Sequence, residues 1–169
     1  LFDMRRCGEK FDARLKINGW CDPDFDDSHW DNAFICKGLG GKFRKKIVEP
    51  IRIIRLIRGT EIEKGLFDFG TNTSGWVRIN VKGKSGNEIV IKYSENLTDD
   101  KRNVDQTSIT NGGTHKDQYI MEGNPDGEEW EQSFIYHGFR YVQVEGEYDE
   151  ITVDAVVAFT DMPLTSSFN

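Results

Sequence analysis

The sequence predicts an all-β protein, an antiparallel β-sandwich or jelly roll. Three observations carry that expectation. Short runs alternate apolar and polar residues with a period of two. Turn signals rich in Gly, Asn, Asp and Pro separate them about every 8–12 residues. No segment carries a helical pattern longer than two turns.

The elements follow in order along the 169 residues. EKFDARLKI (9–17) places Phe11, Ala13, Leu15 and Ile17 on one face, as a strand would. NGW closes it, and CDPDFDDSHW follows as an acidic, turn-rich loop. After NAFIC the chain breaks again at Gly38, Gly40 and Gly41. IRIIRLIR (51–58) is ambiguous, because its Arg residues recur at a spacing a helix allows. Its β-branched Ile residues favour a strand. GLFDFG (65–70) reads as a short strand. GWVRINVKG (75–83) reads as another, with Val77, Ile79 and Val81 on one face. KSGN (84–87) has the composition of a hairpin turn. NEIVIKYSE then returns with Ile89, Ile91 and Tyr93 inward. Residues 98–114 form the longest loop, of the length that tends to carry function. HKDQYIMEG is a strand and NPDGEE a turn. SFIYHGFRYVQVEG and EITVDAVVAFTD are the final strands. In the last of them Ile151, Val153, Ala155, Val157 and Phe159 share a face.

Composition narrows the function. Apolar residues make up 37% and charged ones 30%, with a net charge of −7. Nucleic acid is held by neutralising phosphates, so an acidic chain is a poor candidate for it. The one basic stretch, 42–58, sets Lys42, Arg44, Lys45, Lys46, Arg52, Arg55 and Arg58 against Glu49 alone. A solvated edge strand protected by its charges explains it more simply than an anion site. No apolar run reaches the ~18 residues of a membrane span, and no signal peptide is evident. The chain opens at Leu1 without an initiator Met, so the reading expects a piece of a longer protein. Its parent's compartment is left open. Cys7, Cys21 and Cys36 match no zinc or redox spacing. Two sequons, at Asn72 and Asn96, matter only in a eukaryotic secretory setting.

Three groupings merit a chemical reading. DPDFDD (22–27) starts like a calcium loop, with Asp22, Asp24 and Asp26 alternating. An EF-hand would next need Gly and Glu where Asp27 and Ala33 stand, so that motif is excluded. A calcium site of another kind is left open, beside a plain turn anchored by Phe25 and Trp30. FDFGTNTSGW (67–76) gathers Asp68, Asn72 and Trp76 around a Gly-bounded turn. An aromatic face with short polar groups is what a sugar requires. The simpler alternative makes Asp68 and Asn72 turn residues and Trp76 core. YHGFRY (136–141) packs His137 and Arg140 among aromatics, and Gly138 there suggests a bulge or a close backbone approach. A catalytic His needs an orienting partner, and the sequence names none, so sheet interior is the simpler reading. No G-x-S-x-G and no phosphate cradle occur. The 29 acidic residues cannot by themselves identify a glycosidase pair.

Taken in order, EKFDARLKINGWCDPDFDDSHW, PIRIIRLIR, LFDFGTNTSGWVRINVKG, YSENL, FIYHGFRYVQVEG and TDMPLTSSFN resemble the bacterial α-L-rhamnosidases. Those are large multidomain inverting glycoside hydrolases. The resemblance runs from Gly8 to the C-terminus. FDFG-x-N-x-x-GW and YHGFRY are its most specific parts. Ser94 stands where the family commonly has Gly, and Thr71 where it often has Gln.

The resemblance implies a division of the chain. Residues 1–40 would end a preceding β-sandwich region. Residues 41–160 would be a concanavalin-like β-sandwich. Residues 161–169 would lead into a helical barrel that carries the family's catalytic carboxylates. On that reading the chain has no catalytic residue and no metal ligand, and it needs no cofactor. It supports hydrolysis of terminal α-L-rhamnose by a parent of which the barrel is its partner. The alternative is a carbohydrate-binding module that itself holds rhamnose or a neighbouring sugar, through Asp68, Asn72 and Trp76.

Overall fold

The computed structural model describes residues 2–4, 8–38, 40–107, 115–163 and 165–167. Among the described residues ten strands form in chain order: β1 (Phe2–Met4), β2 (Gly8–Asp12), β3 (Ile51–Arg58), β4 (Thr60–Glu63), β5 (Leu66–Lys82), β6 (Glu88–Ser94), β7 (Lys116–Ile120), β8 (Glu128–Glu131), β9 (His137–Glu145) and β10 (Glu150–Thr160). They join one curled sheet in the order β1-β2-β7-β6-β9-β5-β10-β3, with β4 and β8 also paired to β5. The pairings are antiparallel except β2 with β7, which is parallel through Lys10 and Gln118. The expected all-β architecture is what forms. Among the described residues the one helical turn is the 3-10 turn Ala13–Leu15. Among the described residues no helix is long and apolar enough to cross a membrane.

The 17-residue β5 organises the fold. Its first half pairs with β4 and β9, and its second half with β8 and β10. The alternation in GWVRINVKG drives this. Val77, Ile79 and Val81 point into one core with Ile89, Ile91 and Tyr93 of β6 and Val153 and Ala155 of β10. The runs read as two strands, GLFDFG and GWVRINVKG, are therefore one. The join is a bulge: between Asp68↔Tyr141 and Thr73↔Phe139, five steps on β5 face two on β9. Gly70, Thr71 and Asn72 lie exposed there.

Other expectations need correction. KSGN makes a turn, with the Asn87 amide donating to Lys84 O at 3.1 Å. It is no hairpin, because β9 lies between β5 and β6 and pairs with both. EKFDARLKI is a strand only to Asp12. The Asp12 side chain accepts the Arg14 amide and caps the 3-10 turn. Leu15 and Ile17 consequently face solvent while Ala13 stays buried. β9 begins at His137, leaving Phe134 and Tyr136 exposed ahead of it. In β10 the predicted face holds for Val153, Ala155 and Val157, but Val156 and Ala158 on the opposite face are buried too. IRIIRLIR resolves as an edge strand, paired among the described residues to β10 alone.

Four strands meet at one buried carboxyl group. Asp117 on β7 is wholly enclosed. Its Oδ1 accepts the Glu9 amide of β2 at 2.9 Å, and its Oδ2 accepts the Tyr93 hydroxyl of β6 at 2.6 Å. His137 Nε2 of β9 lies 3.2 Å from the same Oδ2. Glu9, also buried, accepts the amides of Ser133 and Phe134 at 2.9 and 3.0 Å. The approach of β2 to β7 is close enough to demand glycine. Gly8 has φ +106°, and a Cβ there would sit 1.6 Å from Lys116 O.

Asp117→Ala would leave the Tyr93, His137 and Glu9 donors short of a partner in the interior. At roughly 1–3 kcal/mol for each orphaned group, the expected loss is about 3 kcal/mol or more. Urea denaturation measures it, and a loss below ~1 kcal/mol would show that this node does not hold the strands.

Candidate functional site

The three residues that the sequence offered as a sugar site sit along β5, and each is already engaged. Asp68 meets Arg140 of β9 in a two-point ion pair, Nε–Oδ1 and Nη2–Oδ2 both 2.9 Å. Sheet register causes this, since Asp68 pairs with Tyr141. The Asp68 Oδ1 also accepts the Gly70 amide at 2.7 Å, closing the turn. Hydrogen bonding from the Arg140 guanidinium holds the Asp68 carboxyl below its ordinary range, against a smaller upward push from burial. The guanidinium lies 4.9 Å from the centre of the Tyr141 ring. Asn72 Nδ2 donates to Glu95 Oε1 at 2.9 Å. Trp76 is half-buried, and its indole N–H donates to Glu131 Oε2 at 2.9 Å. Arg78 reaches the same Glu131 through Nε and Nη2, both at 3.1 Å.

These contacts combine the two sequence readings. Asp68 does close its turn, and Trp76 does keep a polar handle. Yet the three bind three different partners rather than converging on one opening. Neither the cleft beside Lys82 and Glu150 nor the cleft beside Trp20 and Trp30 includes any of them.

YHGFRY divides at its strand boundary. Tyr136 is exposed, while His137 and Phe139 are buried on one face. The buried positions then move to Val142 and Val144, and the register shift against β5 lies between Phe139 and Tyr141, with the extra residues on β5 rather than at Gly138. A Cβ at Gly138 would meet only Glu95 Oε1 at 3.6 Å, an ordinary contact. His137 stacks on Tyr93 with ring centres 3.9 Å apart. The orienting partner missing from the sequence exists: it is Asp117, twenty residues upstream on β7. The His137 and Asp117 side chains are 1% and 0% exposed, so a substrate has no route to them. Burial, with Asp117 adding to it, pushes the Tyr93 hydroxyl well above its ordinary range. Burial lowers His115, whose ring centre is 5.4 Å from that of His137. The group is a hydrogen-bonded lock of the interior, and no motif spacing could have revealed it.

The remaining groupings resolve simply. In DPDFDD, Asp26 Oδ1 accepts the Ser28 amide at 3.0 Å, and Phe25 packs on Trp30 with ring centres 5.4 Å apart. Among the described residues no three His, Cys, Asp or Glu side chains converge as a metal site would require. Arg52 and Arg58 of the basic stretch pair with Asp161 and Asp154 at 2.8 and 2.9 Å. Cys21 and Cys36 are free and exposed, and Cys7 lies outside the described residues. Of the long loop, 108–114 also lies outside them. Its first part is tied down by Gln106 Nε2, which donates to Tyr93 O and His115 O.

Two family models match this chain. Residues 58–160 match the bacterial alpha-L-rhamnosidase concanavalin-like domain, and residues 6–55 the alpha-L-rhamnosidase N-terminal domain. The chain belongs to the bacterial α-L-rhamnosidase family. An alpha-L-rhamnosidase of Formosa agariphila is 34% identical over 95% of this chain, which covers 18% of that relative. The solved α-L-rhamnosidase of Dictyoglumus thermophilum superposes with a TM-score of 0.82 at 37% identity, over 93% of this chain and 18% of that one. The Streptomyces avermitilis α-L-rhamnosidase, solved with L-rhamnose, gives 0.81 at 30% identity over 94% of this chain and 16% of that one. The chain thus spans less than a fifth of the length of these relatives.

The Asp68–Arg140 pair has a pH signature. The folded Asp68 carboxyl is depressed, so its contribution is fully present above the ordinary carboxylate pKa and is lost as pH falls through the folded value. Asp68→Asn is expected to melt below the parent at pH 7, with the gap closing below about pH 4. A gap that stays constant down to pH 2 would exclude the pair as its source.

Proposed function

We propose that the chain is a noncatalytic β-sandwich module of an α-L-rhamnosidase, and that it supports hydrolysis of terminal α-L-rhamnose by packing against the parent's catalytic helical barrel. The observation that carries this is an unpartnered apolar edge. Ile51, Ile53, Ile54 and Leu56 of β3 are each about half exposed, and Phe159 and Met162 beside them are exposed as well. An open strand edge rich in Ile invites association, and a module within a larger chain covers such an edge with its neighbour. Family membership and the short span of the relatives covered agree with a part rather than a whole.

Catalysis by this chain alone finds no support in its geometry. The best-ordered acid–base group, Asp117 with His137, is sealed from solvent. Inverting glycosidases need two carboxyl groups that flank a bound sugar, with room for water. Of the carboxyl groups at the motif residues, Asp68 and Glu131 are each committed to an arginine, and Glu95 accepts from Asn72. The role needs no cofactor. Sugar contact through Asp68, Asn72 and Trp76 would require Asn72 to release Glu95 and Trp76 to release Glu131.

The purified chain is expected to show no release of aglycone from an aryl α-L-rhamnoside above the uncatalysed rate. Steady turnover that survives repurification would overturn the noncatalytic role.

A further inference from the structure

The turn that follows the EKFDARLKI segment belongs to neither the buried node nor the exposed strand edge. Asn18 stands there before Gly19. Asn18 is exposed, and Gly19 has φ +72°, a backbone conformation that favours glycine. The Asp22 amide donates to Gly19 O at 2.8 Å and closes the turn. The turn therefore asks for glycine, and glycine leaves the nitrogen after Asn18 unshielded by any side chain. Among the described residues the Gly19 N–H donates to no backbone carbonyl.

Two other pairs in the chain have the same form, Asn111–Gly112 and Asp126–Gly127. The first lies outside the described residues. The second is held in place. Gly127, with φ +95°, donates its amide to Asn124 O at 3.0 Å, and the Asp126 amide donates to Asn124 Oδ1 at 3.0 Å. Asp126 is exposed as Asn18 is. Exposure is thus alike at the two described pairs, and hydrogen bonding at the glycine nitrogen separates them.

We propose that Asn18 is a modification site, converted to isoaspartate and aspartate by attack of the Gly19 nitrogen on its side chain. The Gly19 nitrogen gives its proton to water and bonds to Asn18 Cγ. The Cγ–Nδ2 bond then breaks, and Nδ2 takes a proton and leaves as ammonia. The product is a five-membered succinimide ring. Water opens it by adding to either ring carbonyl. Breaking the bond from the ring nitrogen to Cγ gives aspartate, and breaking the bond to the main-chain carbonyl carbon gives isoaspartate. One water is consumed and one ammonia released, with no oxidation or reduction. Nucleophile and carbonyl are neighbours in the chain, so ring closure replaces a bimolecular encounter. At Asp126 the hydrogen bond to Asn124 O must break before Gly127 N can attack. The change adds one negative charge to a chain of net charge −7. As isoaspartate it also adds one carbon to the main chain two residues before Trp20. The site stands or falls independently of the noncatalytic role.

The test is incubation of this 169-residue chain at mildly alkaline pH, folded and in guanidinium chloride. Tryptic peptides 17–37, 103–116 and 117–140 separate the three pairs. Each is scored for mass and, with an isoaspartyl methyltransferase, for isoaspartate. An exposed turn opens at little cost, so folded Asn18 should react within about fivefold of its unfolded rate. Asp126 should form isoaspartate more than about fivefold more slowly folded than unfolded. Asn18→Gln needs a six-membered ring and should slow ammonia loss from peptide 17–37 on the order of a hundredfold. A thermal melt confirms that the variant folds. Folded Asn18 reacting more slowly than that fivefold limit would overturn the proposal. So would ammonia loss from peptide 17–37 that persists in Asn18→Gln, which would place the reaction at Asn32. Equal folded and unfolded rates at Asp126 would show that the glycine hydrogen bond selects nothing, and would overturn it too.

Discussion

Asp117 has no contact with water, yet it accepts hydrogen bonds from groups on three other strands. Removing a carboxyl group from water is costly, and only a full set of donors offsets it. The Glu9 amide, the Tyr93 hydroxyl and the His137 ring supply that set, from β2, β6 and β9. Each donor can reach Asp117 in only one register, because a slip of one residue turns a strand's side chains to the opposite face. The node therefore fixes where β2, β6, β7 and β9 lie relative to one another. It also explains the parallel β2–β7 pairing, since the Glu9 amide must face Asp117 while the Glu9 carboxyl reaches the amides ahead of β9.

Around that node the sandwich closes by ordinary means. β5 is long enough to serve both halves of the curled sheet, and its odd-numbered apolar residues feed the shared core. The residues that do not fit the ladder, Gly70 to Asn72, are expelled as a bulge. At the NPDGEE turn, Glu128 takes the amides of Glu122, Gly123 and Asn124 and the Tyr119 hydroxyl. Burial pushes that carboxyl upward, but those four donors outweigh it and hold it below the ordinary range. The same device recurs at three scales, with acidic side chains placed where backbone amides would otherwise lack partners.

That device governs how the motif residues are read. Asp68, Asn72 and Trp76 look like a ligand triad in sequence because short polar groups and an aromatic cluster around a turn. In the fold, Arg140, Glu95 and Glu131 have each taken one of them. Trp20 and Trp30 keep solvent access, and they belong to a loop whose Asp pattern had drawn attention for metal instead. The outward apolar face of β3 is the other unspent surface, and it lies against the segment that ends β10.

Period-two alternation determined the strands with strong inward faces, Val77–Val81, Ile89–Tyr93 and Val153–Val157, because burial acts on each side chain locally. Motif order determined the family. Neither could place partners that lie far apart in the chain. Asp117 and His137 meet only because β7 and β9 flank β6, and Arg140 finds Asp68 only through sheet register. The merging of two predicted strands into β5, and the rejection of KSGN as a hairpin, turned on β9 pairing with both β5 and β6. The alternation along a strand is a property of that strand alone. Which strand lies beside it is set by the combined burial of all ten, and only the tertiary structure contains that choice.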